Sequence, residues 1–403
     1  IKIKIFMIKV TKTPKIKLDN EKDLNKFFSS YKRIIIKVGS SLLVDKKTRK
    51  IRRDWLEAFS KDISSLLSIN KEIIIVSSGA IALGRNSINS HNNTLNLQEN
   101  QAAASVGQIE LAYSWKDALE KEKIKCAQIL LSPDDTETRR RHLNARATIA
   151  TLIKLKIVPV INENDTVTTS EIKFGDNDRL AARVAQMSSS DLLILLSDID
   201  GLYDKNPYQH EDSKHIPIVN EITDKIINMA GSSHYEHASG GMITKLEAAK
   251  ITRLSGCTLI ICNGEKEHSI LKLSQGCRHT IFRVNDTPLT ARKKWIAAGL
   301  NISGRLIVDK GATEALKKGS SLLPAGVIKV RGIFEKGDLI DIYSNDKAKI
   351  ASGLTSYNSK EVELIMGKKT KDFQQLLNYA GRDELIHRDD LVLKTASKLK
   401  QDN

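Results

Sequence analysis

Short apolar runs alternate with longer amphipathic segments between residues 31 and 286. Six of the runs have the length of buried strands: 34–38, 73–76, 127–131, 157–161, 192–196 and 258–261. Segments between them carry apolar residues at helical spacing, as at 55–67, 100–121 and 143–155. Strands that are apolar throughout are typical of a parallel sheet covered on both faces. The pattern therefore predicts an α/β domain with an open, mostly parallel sheet sandwiched by helices.

The pattern changes after about residue 300. Short strands at 304–308, 326–332, 338–342 and 349–354 are separated by glycines, with one helix near 312–318. Short strands at regular spacing predict a small β-barrel. We therefore expect an α/β domain over 31–286, a linker over 287–302 and a β-barrel domain over 303–395.

The charge is uneven at the start of the chain. The 403 residues include 64 Lys and Arg against 48 Asp and Glu, a formal net charge of +16. Residues 1–30 alone contain 8 lysines and 3 acidic residues, and lysines interrupt every apolar stretch. We expect this segment to be a basic, poorly ordered leader rather than a secretory signal.

Composition excludes several classes of protein. Hydrophobic residues make up 40% of the chain and charged residues 28%, as in an ordinary globular protein. No apolar run approaches the roughly 18 residues of a membrane span. The 4 cysteines are too few for a disulfide framework in a chain of this length. We expect them to be buried and reduced, and the protein to be cytoplasmic.

Three motifs follow the first predicted strands at their carboxyl ends, where such sheets bind ligands. Lys37 lies inside an apolar strand, two residues before the pair Gly39-Ser40, and a lysine there needs an anionic partner. Ser78 and Gly79 open a helix whose N–H groups are suited to an anion. The run 162–165 reads Asn-Glu-Asn-Asp and indicates a pocket for a cationic or amide-rich ligand group.

Three further motifs lie later in the chain. The segment 175–178, Gly-Asp-Asn-Asp, is compatible with an Asp N-cap or with carboxylates that serve a metal ion or a lysine. Ser197 and Asp198 follow the strand at 192–196. A loop with two glycines before Thr-Lys is typical of a phosphate cradle, although Walker A and G-x-G-x-x-G spacings are absent. That loop comprises Ser239, Gly240, Gly241, Met242, Ile243, Thr244 and Lys245.

These motifs combine lysines, carboxylates and glycine turns without an evident His or Cys nucleophile. Phosphoryl transfer depends mainly on positioning and on neutralising charge. An acceptor carboxylate, with a pKa of about 4, is ionised at neutral pH and needs no general base. The residues therefore predict an ATP-dependent kinase for a small carboxylate, with Mg²⁺ bridging the phosphates of ATP.

The ordered motifs resemble those of the glutamate 5-kinase family in the amino-acid kinase superfamily. The resemblance runs from about Arg33 to the segment 387–390 and rests on the segments 36–40, 76–80, 143–146, 161–165, 174–178, 196–198, 239–245 and 319–324. It implies an amino-acid kinase fold followed by a PUA domain. It also implies ATP-dependent phosphorylation of L-glutamate to L-glutamyl 5-phosphate, the first step of proline biosynthesis.

The resemblance implies a role for each matching residue. Lys37 and Lys245 would flank the transferred phosphoryl group, and Asp178 would organise both lysines. Ser78, Asp165 and Asn177 would hold glutamate. Lys37, Ser197, Asp198 and the loop 239–245 would hold ATP, and no protein side chain would ligate a metal ion directly. Ile243 departs from the family, which often has Ser there, and this bears on nucleotide affinity.

Partners and alternatives follow from the same observations. We expect a homo-oligomer, a dimer or a tetramer, and the resemblance implies feedback inhibition by proline. The acceptor could instead be aspartate, N-acetylglutamate, carbamate or UMP. An RNA-binding protein acting through the barrel is a further alternative. Residues 304–403 contain 18 Lys and Arg against 14 Asp and Glu, so positive charge is not concentrated there.

Overall fold

The computed structural model describes residues 20–88, 95–167, 177–230, 241–299 and 301–394. The α-helices in this part of the chain are α1 (Asn20–Phe28), α2 (Ser40–Leu43), α3 (Arg53–Ser68), α4 (Ala80–Gly84), α5 (Leu97–Lys121), α6 (Pro133–Glu137), α7 (Arg139–Lys154), α8 (Asn177–Ser188), α9 (Asp224–Met229), α10 (Met242–Leu254), α11 (Ser269–Ser274), α12 (Pro288–Gly299), α13 (Lys310–Lys317), α14 (Ser359–Ile365) and α15 (Phe373–Leu377). The strands are β1 (Arg33–Val38), β2 (Glu72–Val76), β3 (Cys126–Leu131), β4 (Val158–Glu163), β5 (Leu192–Ser197), β6 (Leu202–Tyr203), β7 (His215–Ile216), β8 (Ile218–Val219), β9 (Thr258–Asn263), β10 (His279–Phe282), β11 (Ile302–Val308), β12 (Val327–Arg331), β13 (Leu339–Ser344), β14 (Lys349–Leu354) and β15 (Leu391–Leu393).

The N-terminal part is built around an 8-stranded sheet in the order β3-β4-β2-β1-β5-β9-β10-β8. The strands from β3 to β9 in this order pair in parallel, whereas β10 is antiparallel to β9. The predicted mostly parallel sheet is confirmed, and each of its six predicted strands forms within two residues of its expected bounds. The antiparallel strand β10, and the short edge strand β8 that pairs with it in parallel, are additions to the prediction.

Helices cover both faces of this sheet because successive strand residues point to opposite sides. In β1, Ile34 and Ile36 pack in the core that includes α3 and α5, whereas Ile35 packs in the core with α8 and α10. All three isoleucines are fully buried. By the same alternation Lys37 lies on the face of Ile35, which directs it toward α8 and α10.

Helix α1 lies within the segment expected to be a poorly ordered leader, and its packing differs from that expectation. Leu24 and Phe28 are buried in the core on the α3 side of the sheet. Lys71 secures the end of this segment, because its Nζ donates to the carbonyl oxygens of Phe28 and Tyr31 at 2.7 and 2.8 Å. Residues 1–19 of the predicted leader lie outside the described part.

Helices α4 and α5 cross in direct backbone contact. A Cβ added to Gly84 would lie 1.8 Å from the carbonyl oxygen of Ala103, and one added to Gly107 would lie 1.9 Å from that of Ala80. No side chain fits at these distances, so glycine is required on both helices. The crossing fixes α5 close to the turn that follows β2.

The four cysteines are free thiols. Cys257 and Cys262 are buried as expected, but Cys126 and Cys277 are only half-buried. Burial raises the pKa of the Cys277 thiol to about 11.

Among the described helices, none combines the length and the apolar character that crossing a bilayer requires.

The C-terminal part contains a 5-stranded, mostly antiparallel sheet in the order β12-β11-β13-β14-β15. Only β11 and β13 pair in parallel within it. Its core is separate from those of the first sheet and includes Leu306, Ile342 and Phe373. The region expected to be a linker, 287–302, contains the helix α12, whose Ile296 packs against Leu339 of the second sheet.

A buried ion cluster joins the two parts. Asp390 accepts hydrogen bonds from Arg146 of α7 at 3.0 Å and from Arg292 of α12 at 2.6 Å. The Asp390 residue is 7% exposed. Burial alone would raise the pKa of Asp390, but the two guanidinium groups outweigh it and hold this pKa below its usual value.

We predict that Asp390→Asn destabilises the protein by about 3–5 kcal/mol, because it leaves two poorly solvated guanidinium groups without their anion. Thermal melting at pH 7 measures the effect, and Asp383→Asn, at an exposed neighbouring position, is the control. Because the Asp390 pKa is depressed, its contribution is fully present above pH ~4 and is lost at lower pH. Equal melting temperatures for the two variants at pH 7 would contradict the prediction.

Candidate active site

Three elements bring Lys37, Asp178 and Lys245 together in the interior. Lys37 comes from the end of β1, Asp178 from the first turn of α8 and Lys245 from the first turn of α10. The Nζ atom of Lys37 lies 2.7 Å from Oδ1 of Asp178, and that of Lys245 lies 3.1 Å from Oδ2. The exposed fractions of the three residues are 7%, 0% and 4% in chain order.

The electrostatics of this triad favour an anionic ligand. Burial would raise the pKa of Asp178, but the lysine ammonium groups outweigh burial and hold this pKa below its usual value. Asp178 is therefore ionised at neutral pH. As a set, the three side chains carry one net positive charge, and charge buried in this way needs ionic partners. An anion beside the two ammonium groups would supply one.

The start of α10 lies against the triad. Gly241 is the N-cap of α10, and the Thr244 hydroxyl donates to its carbonyl oxygen at 2.7 Å. The same hydroxyl lies 3.4 Å from Oδ2 of Asp178. Met242 and Ile243 occupy the first turn, where backbone N–H groups lack helical partners. Of the predicted ATP loop, Ser239 and Gly240 lie outside the described residues.

The carboxyl end of β5 provides a second polar group at this edge of the sheet. The Ser197 hydroxyl donates to Oδ1 of Asp198 at 2.9 Å. Nδ2 of Asn263, the last residue of β9, donates to the backbone carbonyl of Asp198 at 2.9 Å. Asp198 itself is exposed, so its carboxylate is accessible from solvent.

The predicted glutamate residues fall into one bonded pair and one separate carboxylate. Nδ2 of Asn177 donates to the Ser78 hydroxyl, which leaves the hydroxyl hydrogen of Ser78 available to a ligand carboxylate. Gly79 follows with φ of 114°, a left-handed conformation suited to glycine, and caps α4. Burial raises the pKa of Asp165 to about 6.

The structure adds polar residues that motif analysis did not assign. Asn162 was expected directly after a strand, as part of the polar run 162–165, but it lies within β4 and is 3% exposed. Its Nδ2 donates to Oε1 of Gln108 on α5 at 2.7 Å. Nε1 of Trp115, also on α5, donates to the Ser77 hydroxyl at 2.8 Å. Asn162 could have been found from its polar motif, whereas Gln108 and Trp115 carry no such signal within a long helix.

A metal ion would need oxygen ligands from this edge of the sheet. The residues that the structure describes contain no group of three or more His, Cys, Asp or Glu that could hold a metal ion. Mg²⁺ commonly binds through one or two carboxylates together with substrate phosphates. The donor set therefore fits an ion that arrives bound to a nucleotide. The exposed Asp198, adjacent to Ser197, would offer it a carboxylate.

Two family models match the chain in separate regions. The amino acid kinase family matches residues 32–263, and the PUA domain matches residues 304–377. The solved structure of carbamate kinase from Giardia lamblia bound to AMP-PNP is 17% identical, covers 64% of this chain and 100% of its own, and has a TM-score of 0.46.

Curated relatives match across nearly the whole chain. Glutamate 5-kinase of Paramagnetospirillum magneticum is 50% identical over 363 residues, which are 90% of this chain and 98% of the relative. Glutamate 5-kinase of Rhodospirillum rubrum is 50% identical over 89% of this chain and 96% of its own. That of Rhizobium rhizogenes is 49% identical over 93% and 96%. The chain therefore belongs to the glutamate 5-kinase family, with an amino acid kinase domain followed by a PUA domain.

Proposed function

We propose that this chain transfers the γ-phosphoryl group of ATP to the side-chain carboxylate of L-glutamate. The products are L-glutamyl 5-phosphate and ADP, and the reaction is the first step of proline biosynthesis. The observation that carries the proposal is the buried triad, in which Lys37 and Lys245 approach opposite oxygens of Asp178. Family membership supports glutamate as the acceptor over aspartate, N-acetylglutamate, carbamate and UMP.

The chemistry needs charge neutralisation rather than acid–base catalysis. An oxygen of the glutamate side-chain carboxylate attacks the γ-phosphorus, a new O–P bond forms, and the bond to the β,γ-bridging oxygen breaks. The bridging oxygen keeps the electron pair and leaves with ADP. The acceptor is already an anion, so no proton moves. Two ammonium groups at the reacting phosphoryl group offset the negative charge of the transition state.

Asp178 acts as the positioning residue of this arrangement. Each lysine is held by a different oxygen of one carboxylate, so the two ammonium groups take fixed places before ATP arrives. Preorganised charges stabilise a transition state without reorganising during the reaction. The carboxylate also offsets the cost of burying two cations when the site is empty.

ATP would lie along the start of α10 and the end of β5. Helix α10 is 13 residues long, and the free N–H groups of its first turn are suited to phosphate oxygens. We assign Gly241, Met242, Ile243, Thr244, Ser197 and Asp198 to this nucleotide site, together with Ser239 and Gly240. Mg²⁺ would enter on the phosphates of ATP and neutralise part of their charge.

Glutamate would lie on the opposite side of the triad, near Ser78, Asp165 and Asn177. The Ser78 hydroxyl is suited to a carboxylate of the substrate. Asp165 is suited to its ammonium group, because desolvation has left this carboxylate with a raised pKa that a cation would lower. We further propose that proline inhibits the enzyme. We also propose domains over 31–286 and 303–395, with α1 packed onto the first of them.

Lys245→Ala is predicted to lower kcat by orders of magnitude and to change the KM for glutamate only modestly, because the lysine acts on the transferred phosphoryl group. ADP release is measured with Mg-ATP and glutamate, aspartate, N-acetylglutamate or UMP, with and without proline, and hydroxylamine traps the acyl phosphate. Lys250→Ala, on the exposed face of α10, is the control. Near wild-type turnover of Lys245→Ala would remove this lysine from the transition state.

The KM for glutamate is predicted to rise about fourfold between pH 7.5 and pH 5.5, because Asp165 pairs with the substrate ammonium only when ionised. Its pKa of about 6 in the free enzyme places the change in this range. Steady-state kinetics across this range measures the KM, and Asp165→Asn should show a higher KM that does not vary with pH. The same pH dependence in Asp165→Asn would assign the titration to another group.

We also propose a homo-oligomer, a dimer or a tetramer, supported by an exposed apolar stripe on α5. Val106, Ile109 and Tyr113 are 45%, 75% and 64% exposed and share one helix face. Ile109→Glu is predicted to lower the mass measured by light scattering, because it places a charge in the subunit interface. Ile333→Glu, which introduces the same charge at an 89% exposed apolar residue far from α5 in the sequence, is the control. A monomeric wild type, or an unchanged mass for Ile109→Glu, would contradict this assignment.

A further inference from the structure

The side-chain amide of Asn177 has a defined orientation. Its Nδ2 donates to the backbone carbonyl of Ser77 at 2.9 Å, and a carbonyl can only accept. This contact therefore identifies the amino end of the amide. The Oδ1 atom at the other end is buried and has no hydrogen-bond partner among the residues that the structure describes. A buried acceptor without a donor is costly, so a ligand donor at this position would be favoured.

Glutamate offers one such donor. Both of its carboxylates are acceptors at neutral pH, and its ammonium group is its only strong donor. An acceptor such as Oδ1 of Asn177 would repel either carboxylate. If glutamate is the substrate, as proposed above, Oδ1 of Asn177 must therefore meet the ammonium group.

A second amide supports this orientation. Oδ1 of Asn162 lies 3.4 Å from Nδ2 of Asn177, the longest of the three acceptor contacts of this amino group, and so shares one of its two hydrogens. Nδ2 of Asn162 donates to Oε1 of Gln108 at 2.7 Å. Because Gln108 takes the amino end of Asn162, the oxygen end is presented to Asn177. A reversed Asn162 would oppose two amino groups.

Helix α5 holds both ends of this network. Gln108 follows Gly107, whose contact with the backbone of α4 fixes the helix at this point. Trp115 lies two turns further on and donates from Nε1 to the hydroxyl of Ser77. Ser77 is the residue whose carbonyl accepts from Asn177. The helix therefore positions two acceptors of the Asn177 amide without touching the substrate.

We propose that Gln108 is a positioning residue for substrate recognition, which acts through Asn162 to direct the oxygen of the Asn177 amide at the ammonium group of glutamate. This proposal rests on the proposed function. Gln108 would therefore determine how strongly the enzyme prefers glutamate to a dicarboxylate of the same length that has no amino group. The catalytic triad is not part of this network, so the rate of phosphoryl transfer depends on it only weakly.

Gln108→Leu removes the acceptor at similar volume, whereas Gln108→Glu keeps an acceptor at the same place. Gln98→Leu, the same substitution at an exposed position in the first turn of α5, is the matched control. For each variant we would measure kcat, the KM values for glutamate and ATP, and the inhibition constant of glutarate, which is glutamate without its ammonium group. Thermal melting would report on folding.

Gln108→Leu is expected to raise the KM for glutamate about tenfold, as loss of one buried hydrogen bond would, with kcat and the KM for ATP within about threefold of wild type. The inhibition constant of glutarate should stay unchanged. Gln108→Glu and Gln98→Leu should resemble wild type. In an Asn177→Ala background, Gln108→Leu should have no further effect on the KM for glutamate, because its effect passes through that amide.

Two results would overturn the proposal while leaving the proposed function intact. One is an unchanged KM for glutamate in Gln108→Leu, and the other is an equal loss of glutamate and glutarate affinity, which indicates general distortion of the site. A wild-type enzyme that forms no hydroxylamine-trapped product from glutamate would instead overturn the proposed function. The two failures are thus separated by the wild-type measurement alone.

Discussion

The carboxylate of Asp178 is the interaction on which the candidate site depends. It is fully buried and bonded to lysines from two other elements, so β1, α8 and α10 must converge at one point. Removing one partner from a buried ion pair leaves an uncompensated charge, which costs several kcal/mol. The contacts that bring these three elements together are therefore the same contacts that place the two cations. In the proposed reaction, the sheet would thereby provide a preorganised place for the transferred phosphoryl group.

In the proposed site, recognition of the acceptor combines the carboxylate of Asp165 with neutral amides whose orientation must be fixed. Asn177 directly precedes Asp178 in the first turn of α8, so the ion pairs that hold Asp178 also fix the position of Asn177. The Ser77 carbonyl and Asn162 orient its amide. Both Ser77 and Asn162 in turn hydrogen-bond to residues of α5. Neutral amides can present a donor or an acceptor, so their orientation must be fixed by further hydrogen bonds. Recognition of the ammonium group would therefore depend on residues, such as Gln108, that do not themselves contact the substrate.

Elements that depend on local pattern could be predicted from the sequence, and those that depend on distant contacts could not. The strands of the parallel sheet follow from apolar runs, and the need of Lys37 for an anion follows from its place in one of them. Helix α1 was missed because the lysines throughout residues 1–30 gave the segment a polar pattern. Its Leu24 and Phe28 become buried only through contact with the folded domain. Gln108 was missed because its partner, Asn162, is 54 residues away.

The link between the two parts of the chain acts on the same region of the fold. Asp390 binds Arg146 on α7, and α7 packs against α8, which begins with Asn177 and Asp178. A buried ion cluster adds little net stability over apolar residues of equal volume, but it accepts only one geometry because a displaced arginine loses its anion. The cluster therefore fixes the position of the PUA domain on α7 rather than merely holding it nearby. Through α7, the cluster is connected to the helix that carries the central carboxylate of the site.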